Sequence, residues 1–286
     1  MTSTFVHLRL HTEYSLVDGL VRVKKLVGKT ADLGMPAVAI TDYCGLYGLV
    51  KFQKYGLPAG IKPIYGVDIW LESDAAGEAP TLIPLIAMNV EGYRNITKLA
   101  SEAYLTGQTG GIAIVKRSLF REKTAGIICL SGGKKGEIGR ALLQGKNDRA
   151  EELAREMMEL FPDRFYLELQ RTSRADDETY LHQAVDLATR LDLPVVATND
   201  VRFLKKDDYE AHEVRVCINA GWTLDDPRRE VNYSDQQYLK SPKEMIELFA
   251  DLPEAIENSV EIAKRCNVNI PLGTYYLPNY PVPEGM

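Results

Sequence analysis

Apolar residues recur along the chain in short continuous runs that are separated by longer amphipathic stretches. Runs of this kind are typical of strands that are covered on both faces. Because helical spacing lies between most of the runs, the pattern predicts parallel strands covered by helices, and seven such units suit a barrel better than an open sheet. The predicted strands cover residues 5–10, 36–41, 63–70, 81–88, 126–131, 164–169 and 193–199.

Apolar residues at helical spacing predict helices between these strands and after the last one. In the last stretch, Ser241 as N-cap, Pro242 at the first helical position and Glu244 predict a capping box. The predicted helices cover residues 21–33, 92–106, 149–160, 177–191, 206–221 and 241–266.

The last part of the chain is rich in proline and has no periodic apolar pattern. Residues 271–286 contain four prolines, which predicts an extended connector rather than a packed element. We therefore predict a domain over residues 1–270 and a connector over residues 271–286, and we expect the natural chain to continue beyond it.

The first predicted strand carries an unusual set of polar residues. Its alternating pattern predicts that His7, Arg9 and His11 lie on one face. Two histidines on one strand face are typical of a metal site, but an arginine carries a fixed positive charge and cannot bind a cation.

Further polar side chains follow the other predicted strands, where functional groups gather in parallel barrels. Carboxylates that converge in this way repel one another and require a cation, which can be a metal, a lysine or an arginine. For any single aspartate the alternative is a local role, in which it caps a helix or accepts a loop N–H. The residues at the predicted strand ends are His11, Asp42, Asp68, Ser131 to Gly133, Glu168, Gln170 and Asp200.

Other candidate motifs give weaker signals. The stretch SGGKKGEIG, residues 131–139, could hold a phosphate, but it lacks the full phosphate-loop pattern and reads better as a turn with solvated lysines. His212 lacks the second histidine of a zinc-protease helix, which favours a hydrogen-bonding role on a helix face. His182 lies in an amphipathic stretch and is interpreted as structural.

Composition narrows the functional classes. With 34 basic and 40 acidic residues the net charge is −6, which argues against a chain that wraps nucleic acid over its whole surface. The four cysteines form no CxxC pair, which argues against structural zinc and favours a reduced, cytoplasmic protein. No apolar run is long enough to predict a signal peptide or a membrane span.

Eight stretches of the chain carry a resemblance to a known family. They are FVHLRLHTEYSLVDGL, LGMPAVAITD, GIKPIYGVDIWL, LSGGKKGEIGRALL, RFYLELQR, PVVATNDVRFL, DYEAHEVRVCI and LPEAIENSVEIAKRCN. In this order they resemble the PHP (polymerase and histidinol phosphatase) domain at the N-terminus of bacterial replicative DNA polymerase III alpha subunits. The resemblance implies a distorted, TIM-like (β/α)7 barrel with extra C-terminal helices.

The resemblance also implies a trinuclear cluster of zinc or manganese at the strand ends, and here this sequence departs from the family. Arg9 and Arg202 stand where histidines are expected, Tyr43 replaces the histidine after Asp42, and Gly133 replaces a cysteine. Of the matched positions, His11 and Asp200 are unchanged and Asp68 replaces a glutamate. The predicted vestigial site comprises Arg9, His11, Asp42, Tyr43, Asp68, Gly133, Asp200 and Arg202.

These departures predict that the metal cluster is lost and that no cofactor is held. Fixed charges at Arg9 and Arg202 would repel divalent cations, and we expect both guanidinium groups to pair with Asp42, Asp68 and Asp200 instead. Tyr43 is expected to fill part of the vacated volume.

The function implied by the resemblance is structural. The domain would brace the polymerase core of the same chain and dock the proofreading 3′–5′ exonuclease subunit in the replisome. It would meet DNA only through the parent chain, a nucleotidyltransferase. The alternative is a metal-dependent phosphoesterase or proofreading nuclease with a reduced ligand set of His11, Asp68 and Asp200. A free-standing enzyme similar to histidinol phosphatase is disfavoured by the same losses.

Overall fold

The computed structural model describes residues 4–73, 77–275 and 277. Within these residues the strands are β1 (Ala37–Ile40), β2 (Lys62–Leu71), β3 (Thr81–Ala87), β4 (Gln108–Thr109), β5 (Ile112–Val115), β6 (Ile127–Leu130), β7 (Phe165–Gln170) and β8 (Val195–Thr198). The α-helices are α1 (Val23–Asp32), α2 (Leu49–Gly56), α3 (Val90–Thr106), α4 (Arg117–Glu122), α5 (Glu137–Leu143), α6 (Asn147–Leu160), α7 (Asp177–Leu191), α8 (Tyr209–Ala220), α9 (Pro242–Leu248) and α10 (Pro253–Arg265). Short 3-10 helices lie at Leu57–Ala59, Gly133–Lys135 and Lys206–Asp208.

The strands form one mixed sheet. Hydrogen-bonded neighbours follow the order β1, β2, β3, β6, β7, β8, with β5 and β4 attached to the end of β2. Every residue of β1, β6, β7 and β8 is buried, as expected for strands covered on both faces. The prediction of an α/β barrel with extra C-terminal helices is therefore confirmed.

The predicted parallel order is wrong for one strand. β3 runs antiparallel to both β2 and β6, whereas β1 and β2, β6 and β7, and β7 and β8 are parallel. The physical reason is the short link between β2 and β3, because residues 72–80 cannot make the long crossover that a parallel pair requires.

A small hairpin was also missed between the predicted fourth and fifth strands. β4 and β5 pair antiparallel around Gly110 and Gly111, which both have positive φ, 58° and 80°. Two consecutive residues in this conformation make the tight turn that glycines favour, so the Gly-Gly pair was the available signal.

The predicted strand over residues 5–10 is instead an irregular extended segment. On one side the Ala39 N–H donates to the His7 carbonyl oxygen at 2.8 Å. On the other side the His11 N–H donates to the Val201 carbonyl oxygen at 3.0 Å, and the Val201 N–H donates to the Arg9 carbonyl oxygen at 3.2 Å. The sheet itself is not closed, but this segment lies between its two ends and hydrogen-bonds to both.

An interruption of the pleat explains why this segment is not a regular strand. Leu8 shares a buried cluster with Ile64 of β2, and Arg9 pairs with Asp68 of the same strand. Ile64 and Asp68 face the same side of β2, because side chains alternate along a strand. Consecutive residues Leu8 and Arg9 therefore both face the barrel interior. Arg9 and His11 share a face as predicted, because both contact Asp68 Oδ2, whereas His7 bonds to the Lys240 carbonyl oxygen instead.

Every predicted helical stretch contains a helix, one stretch is divided, and α2, α4 and α5 lie outside the predicted ranges. The stretch 241–266 forms two helices, α9 and α10, because Pro253 lacks the N–H that a continuous helix would need and instead begins α10. The capping box is confirmed: the Glu244 carboxylate accepts the Ser241 N–H at 2.7 Å, and the Ser241 hydroxyl accepts the Glu244 N–H at 3.3 Å.

The predicted connector lies largely outside the described residues. Residues 271–275 and 277 have no helical or strand structure, and the remainder of 271–286 is not described. Among the described helices, none has both the length and the apolar character to cross a membrane.

A pair of glycines tests the packing of α3 against the sheet. A Cβ at Gly92 would lie 1.8 Å from the Gly126 carbonyl oxygen, whereas a Cβ at Gly28 in α1 meets nothing within 4 Å. We expect Gly92→Ala to lower the free energy of unfolding by about 2–3 kcal/mol, because backbone must move. Gly28→Ala should raise it by up to about 1 kcal/mol. Urea unfolding of both variants checks this, and equal effects would contradict it.

Candidate functional site at the barrel mouth

The centre of the barrel mouth is occupied by a guanidinium group. Arg9 is 1% exposed and contacts three carboxylates: Asp68 Oδ2 at 2.9 Å, Glu168 Oε2 at 2.9 Å and Asp200 Oδ1 at 3.4 Å. These carboxylates come from β2, from β7 and from the turn after β8. One side chain from the N-terminal segment thus pairs with carboxylates from three strand ends.

Asp200 is the carboxylate with the most cationic neighbours. Arg202 Nη2 lies 2.6 Å from its Oδ1, and Arg174 Nη1 lies 3.2 Å from its Oδ2, in addition to Arg9. Burial alone would raise the pKa of Asp200, but Arg202, Arg9 and Arg174 together hold it well below its usual range. Asp200 is therefore ionised at neutral pH.

The backbone at Asp200 is held in an uncommon conformation. Its φ is 47°, in the left-handed region, which aspartate tolerates better than most residues. The side-chain amide of Gln237 donates to both the carbonyl oxygen and Oδ2 of Asp200, each at 3.0 Å. These bonds hold the carboxylate in the direction that the arginines require.

His11 lies between two carboxylates. Its Nδ1 is 2.8 Å from Asp18 Oδ1 and its Nε2 is 3.0 Å from Asp68 Oδ2. Burial and Arg202 lower the pKa of His11, but Asp18 and Asp68 outweigh them and raise it above its usual value. Both ring nitrogens are engaged, so no lone pair is left to bind a metal.

Asp42 pairs with no arginine among the described residues, which corrects the sequence prediction. Its carboxylate accepts hydrogen bonds from the Thr12 N–H at 2.6 Å, the Thr12 hydroxyl at 2.7 Å and the Ser15 hydroxyl at 2.6 Å. Burial raises the pKa of Asp42 despite these bonds. The local alternative, a carboxylate that holds a loop, is therefore the correct interpretation at this position.

Tyr43 and Gly133 occupy positions where the family resemblance implied metal ligands. The Tyr43 ring meets His11 edge-on at 4.2 Å and stacks on Trp70 at 6.0 Å, and Arg202 lies 5.9 Å from its centroid. Gly133 has a φ of 58° and takes no part in the ion pairs. Tyr43 thus packs over the network as expected, whereas Gly133 contributes only its backbone.

Several residues of the network were not found from the sequence. Asp18, to which the sequence pattern assigned no role, lies 3.2 Å from Arg202 Nε and accepts the Tyr233 hydroxyl at 2.9 Å. Arg174 likewise lies in a loop, after β7. Neither position follows a predicted strand directly, so no periodic pattern pointed to them.

The two lysines of the 131–139 stretch are not solvated as predicted, whereas His212 contacts a carboxylate. Lys135 is not fully solvated, because its ammonium lies 5.5 Å from the Tyr233 ring and burial lowers its pKa to about 8. Lys134 pairs with Asp177 at 2.7 Å. His212 Nδ1 lies 3.3 Å from Glu213 Oε1, and its ring packs against Phe203 and Tyr233.

The side chains at this mouth do not fit a multinuclear metal cluster. Such a cluster needs several free imidazoles and carboxylates, whereas here the carboxylates face guanidinium nitrogens. In the part of the chain that the structure describes, no three His, Cys, Asp or Glu side chains are arranged to hold a metal ion.

Comparison with known proteins assigns the family. The family model of the PHP domain matches residues 7–172, which includes the segment of Arg9 and most of the sheet. The chain belongs to the PHP domain family.

Two relatives of this PHP domain carry the same name. It is 60% identical over 286 residues to the DNA polymerase III subunit alpha of Pseudomonas aeruginosa, and 53% identical over 277 residues to that of Escherichia coli K12. These matches cover 100% and 97% of the chain but 24% of each relative, so the chain spans about a quarter of the length of the curated relatives it matches.

Two solved structures share weaker similarity with this PHP domain. A metal-dependent phosphoesterase from Bifidobacterium adolescentis aligns with 68% of the chain and 86% of its own, at a TM-score of 0.43. An amidohydrolase from Chromobacterium violaceum aligns with 73% of the chain and 96% of its own, at a TM-score of 0.45. Both are 14% identical to the chain, and neither alignment bears on its function.

The dependence of the PHP domain on its buried charges can be measured at Asp200. Asp200→Asn keeps the shape and tolerates the positive φ, but it removes the negative charge among three arginines. We expect the free energy of unfolding to fall by about 3–5 kcal/mol. As a control, Asp251 pairs with Arg171 through a side chain that is 59% exposed, and Asp251→Asn should cost less than about 1 kcal/mol. Similar losses in both variants would refute the buried network.

His7 provides a separate pH test, because it lies outside the carboxylate network. Burial lowers its pKa from 6.5 to about 4, while its Nε2 bonds to the Lys240 carbonyl oxygen at 2.8 Å. Between these values the unfolded chain binds more protons than the folded chain, so stability is full above pH 6.5 and falls toward pH 4. The difference amounts to about 3 kcal/mol.

The measurement is denaturant unfolding at pH 7 and pH 4 for the wild type and two variants. His7→Gln should remove about 3 kcal/mol of the loss on acidification. His182→Gln, at an exposed histidine of α7, should keep the wild-type profile. A wild-type profile in the His7 variant would show that His7 is not the group that titrates.

Proposed function

We propose that this chain is the PHP domain of a replicative DNA polymerase III alpha subunit and that its barrel mouth is a metal-free structural network. The observation that supports the proposal is the position of Arg9, whose guanidinium contacts three carboxylates where the family cluster would lie. Arg202 adds a second fixed charge beside Asp18 and Asp200. Divalent cations would meet strong repulsion from these two groups.

The role that follows from this network is to hold the barrel rigid. The ion pairs join the N-terminal segment to the ends of β2, β7 and β8, so the domain offers a fixed body to the polymerase core of the same chain. We further propose that it docks the proofreading 3′–5′ exonuclease subunit within the cytoplasmic replisome. In this role it would approach DNA only through the parent chain, a DNA-directed DNA polymerase.

The alternative is a metal-dependent phosphoesterase or nuclease that uses His11, Asp68 and Asp200. It would require His11 to give up the contact of one ring nitrogen with a carboxylate, either Asp18 or Asp68. It would also require a cation to replace Arg9 and Arg202 beside the carboxylates. We therefore retain this alternative only as the outcome that the following experiment would reveal.

The test combines metal analysis with hydrolysis of a chromogenic phosphodiester. Protein purified without chelator should hold less than one zinc or manganese ion per chain, because the ligand atoms are already paired. Hydrolysis with added manganese should equal that of a His11→Ala variant. Two or more tightly held ions per chain, or activity that both chelator and His11→Ala abolish, would establish the enzyme instead.

A further inference from the structure

Helix α8 packs poorly for its length. The side chains it buries are His212, Glu213 and Cys217, of which only the cysteine is apolar. Helix α10, of similar length, buries two isoleucines and two alanines. Short helices depend on a packed apolar face for their stability, so the apolar face of α8 lacks a counterpart in the described residues.

That apolar face is exposed. Val214 and Ile218 lie one turn apart and are 39% and 77% exposed, so both point away from the barrel. Trp222 follows the helix, and the Arg228 guanidinium lies 4.9 Å from its ring centroid. Tryptophan and arginine are the residues enriched where protein interfaces bind most strongly.

The exposed face continues onto the loop after His11. Arg215 Nε donates to the Leu16 carbonyl oxygen at 3.1 Å, which places this loop against α8. Arg215 and Ile218 are three residues apart and share a helix face, and the Leu16 side chain is 73% exposed. We define the α8 surface as Leu16, Val17, Val214, Ile218 and Trp222.

We propose that the α8 surface is where the polymerase part of the same polypeptide packs. This inference rests on the proposed function, in which the chain continues beyond residue 286. The chain covers 24% of its relatives, so about three quarters of their length lies outside it. A partner tethered in the same chain has a high effective concentration and occupies such a surface before a free protein can.

The experiment is site-specific photocrosslinking in the full-length chain. A benzoylphenylalanine is placed at residue 218 in one preparation and at residue 105 in another. Leu105 of α3 is the matched control, because it is 78% exposed and Ile218 is 77% exposed. We expect the probe at 218 to crosslink with residues beyond 286 of the same chain and the probe at 105 to give far less of this product.

Other crosslinks would overturn the proposal. Products that join residue 218 to a second copy or to a separate exonuclease subunit would assign the α8 surface to those partners. Equal crosslinking from residues 218 and 105, or none from 218, would overturn the assignment of the polymerase part to the α8 surface. Failure of the proposed function is distinguishable, because the natural chain would then have a mass near 32.0 kDa rather than that of a polymerase.

A second measurement does not depend on the probe. In the full-length chain, Ile218→Glu should lower the Tm by several degrees, because it places a charge in the packed contact. Leu105→Glu should leave the Tm within about one degree of the wild type, as expected for a solvated position. Equal shifts in the two variants would argue that α8 remains in solvent.

Discussion

The barrel mouth depends on one buried carboxylate, that of Asp200, which is shared among three guanidinium groups. These groups come from the N-terminal segment, from the loop after β7 and from the chain after β8. Buried charges persist only when each has a counterpart. The network therefore links distant parts of the sequence. Replacing one member alone leaves another buried charge without its counterpart.

A guanidinium network and a metal cluster solve the same physical problem. Carboxylates that converge at strand ends need positive charge between them, and either kind of cation can provide it. His11 and Asp200, which the family resemblance matched to unchanged ligand positions, suit both arrangements, because a carboxylate can bind metal or arginine and an imidazole can bind metal or donate hydrogen bonds. In our proposal these residues remain because they hold the arginines and Asp18 in place.

The strands that were predicted correctly have residues buried on both faces. Burial of this kind requires a continuous apolar run, which is visible in the sequence. The direction of β3 was not predictable from such a run, because the run is the same for either direction and only the link of residues 72–80 sets it. At the site, the expectation that functional groups gather at strand ends identified Asp68, Glu168 and Asp200 from the sequence. It missed Asp18 and Arg174, which reach the mouth from loops with no periodic pattern.

The sequence by itself determined which charges are available at the mouth. Two arginines at positions of expected histidines were visible without coordinates, and they already argued against a cation cluster. Only the tertiary structure decided which groups pair. The Asp42 carboxylate accepts a hydrogen bond from the Thr12 N–H and so holds a loop, whereas the Asp18 carboxylate forms an ion pair with Arg202. Ion pairs act over a few ångströms, and those distances depend on the irregular segment around Leu8 and Arg9 and on loop paths that no local pattern specifies.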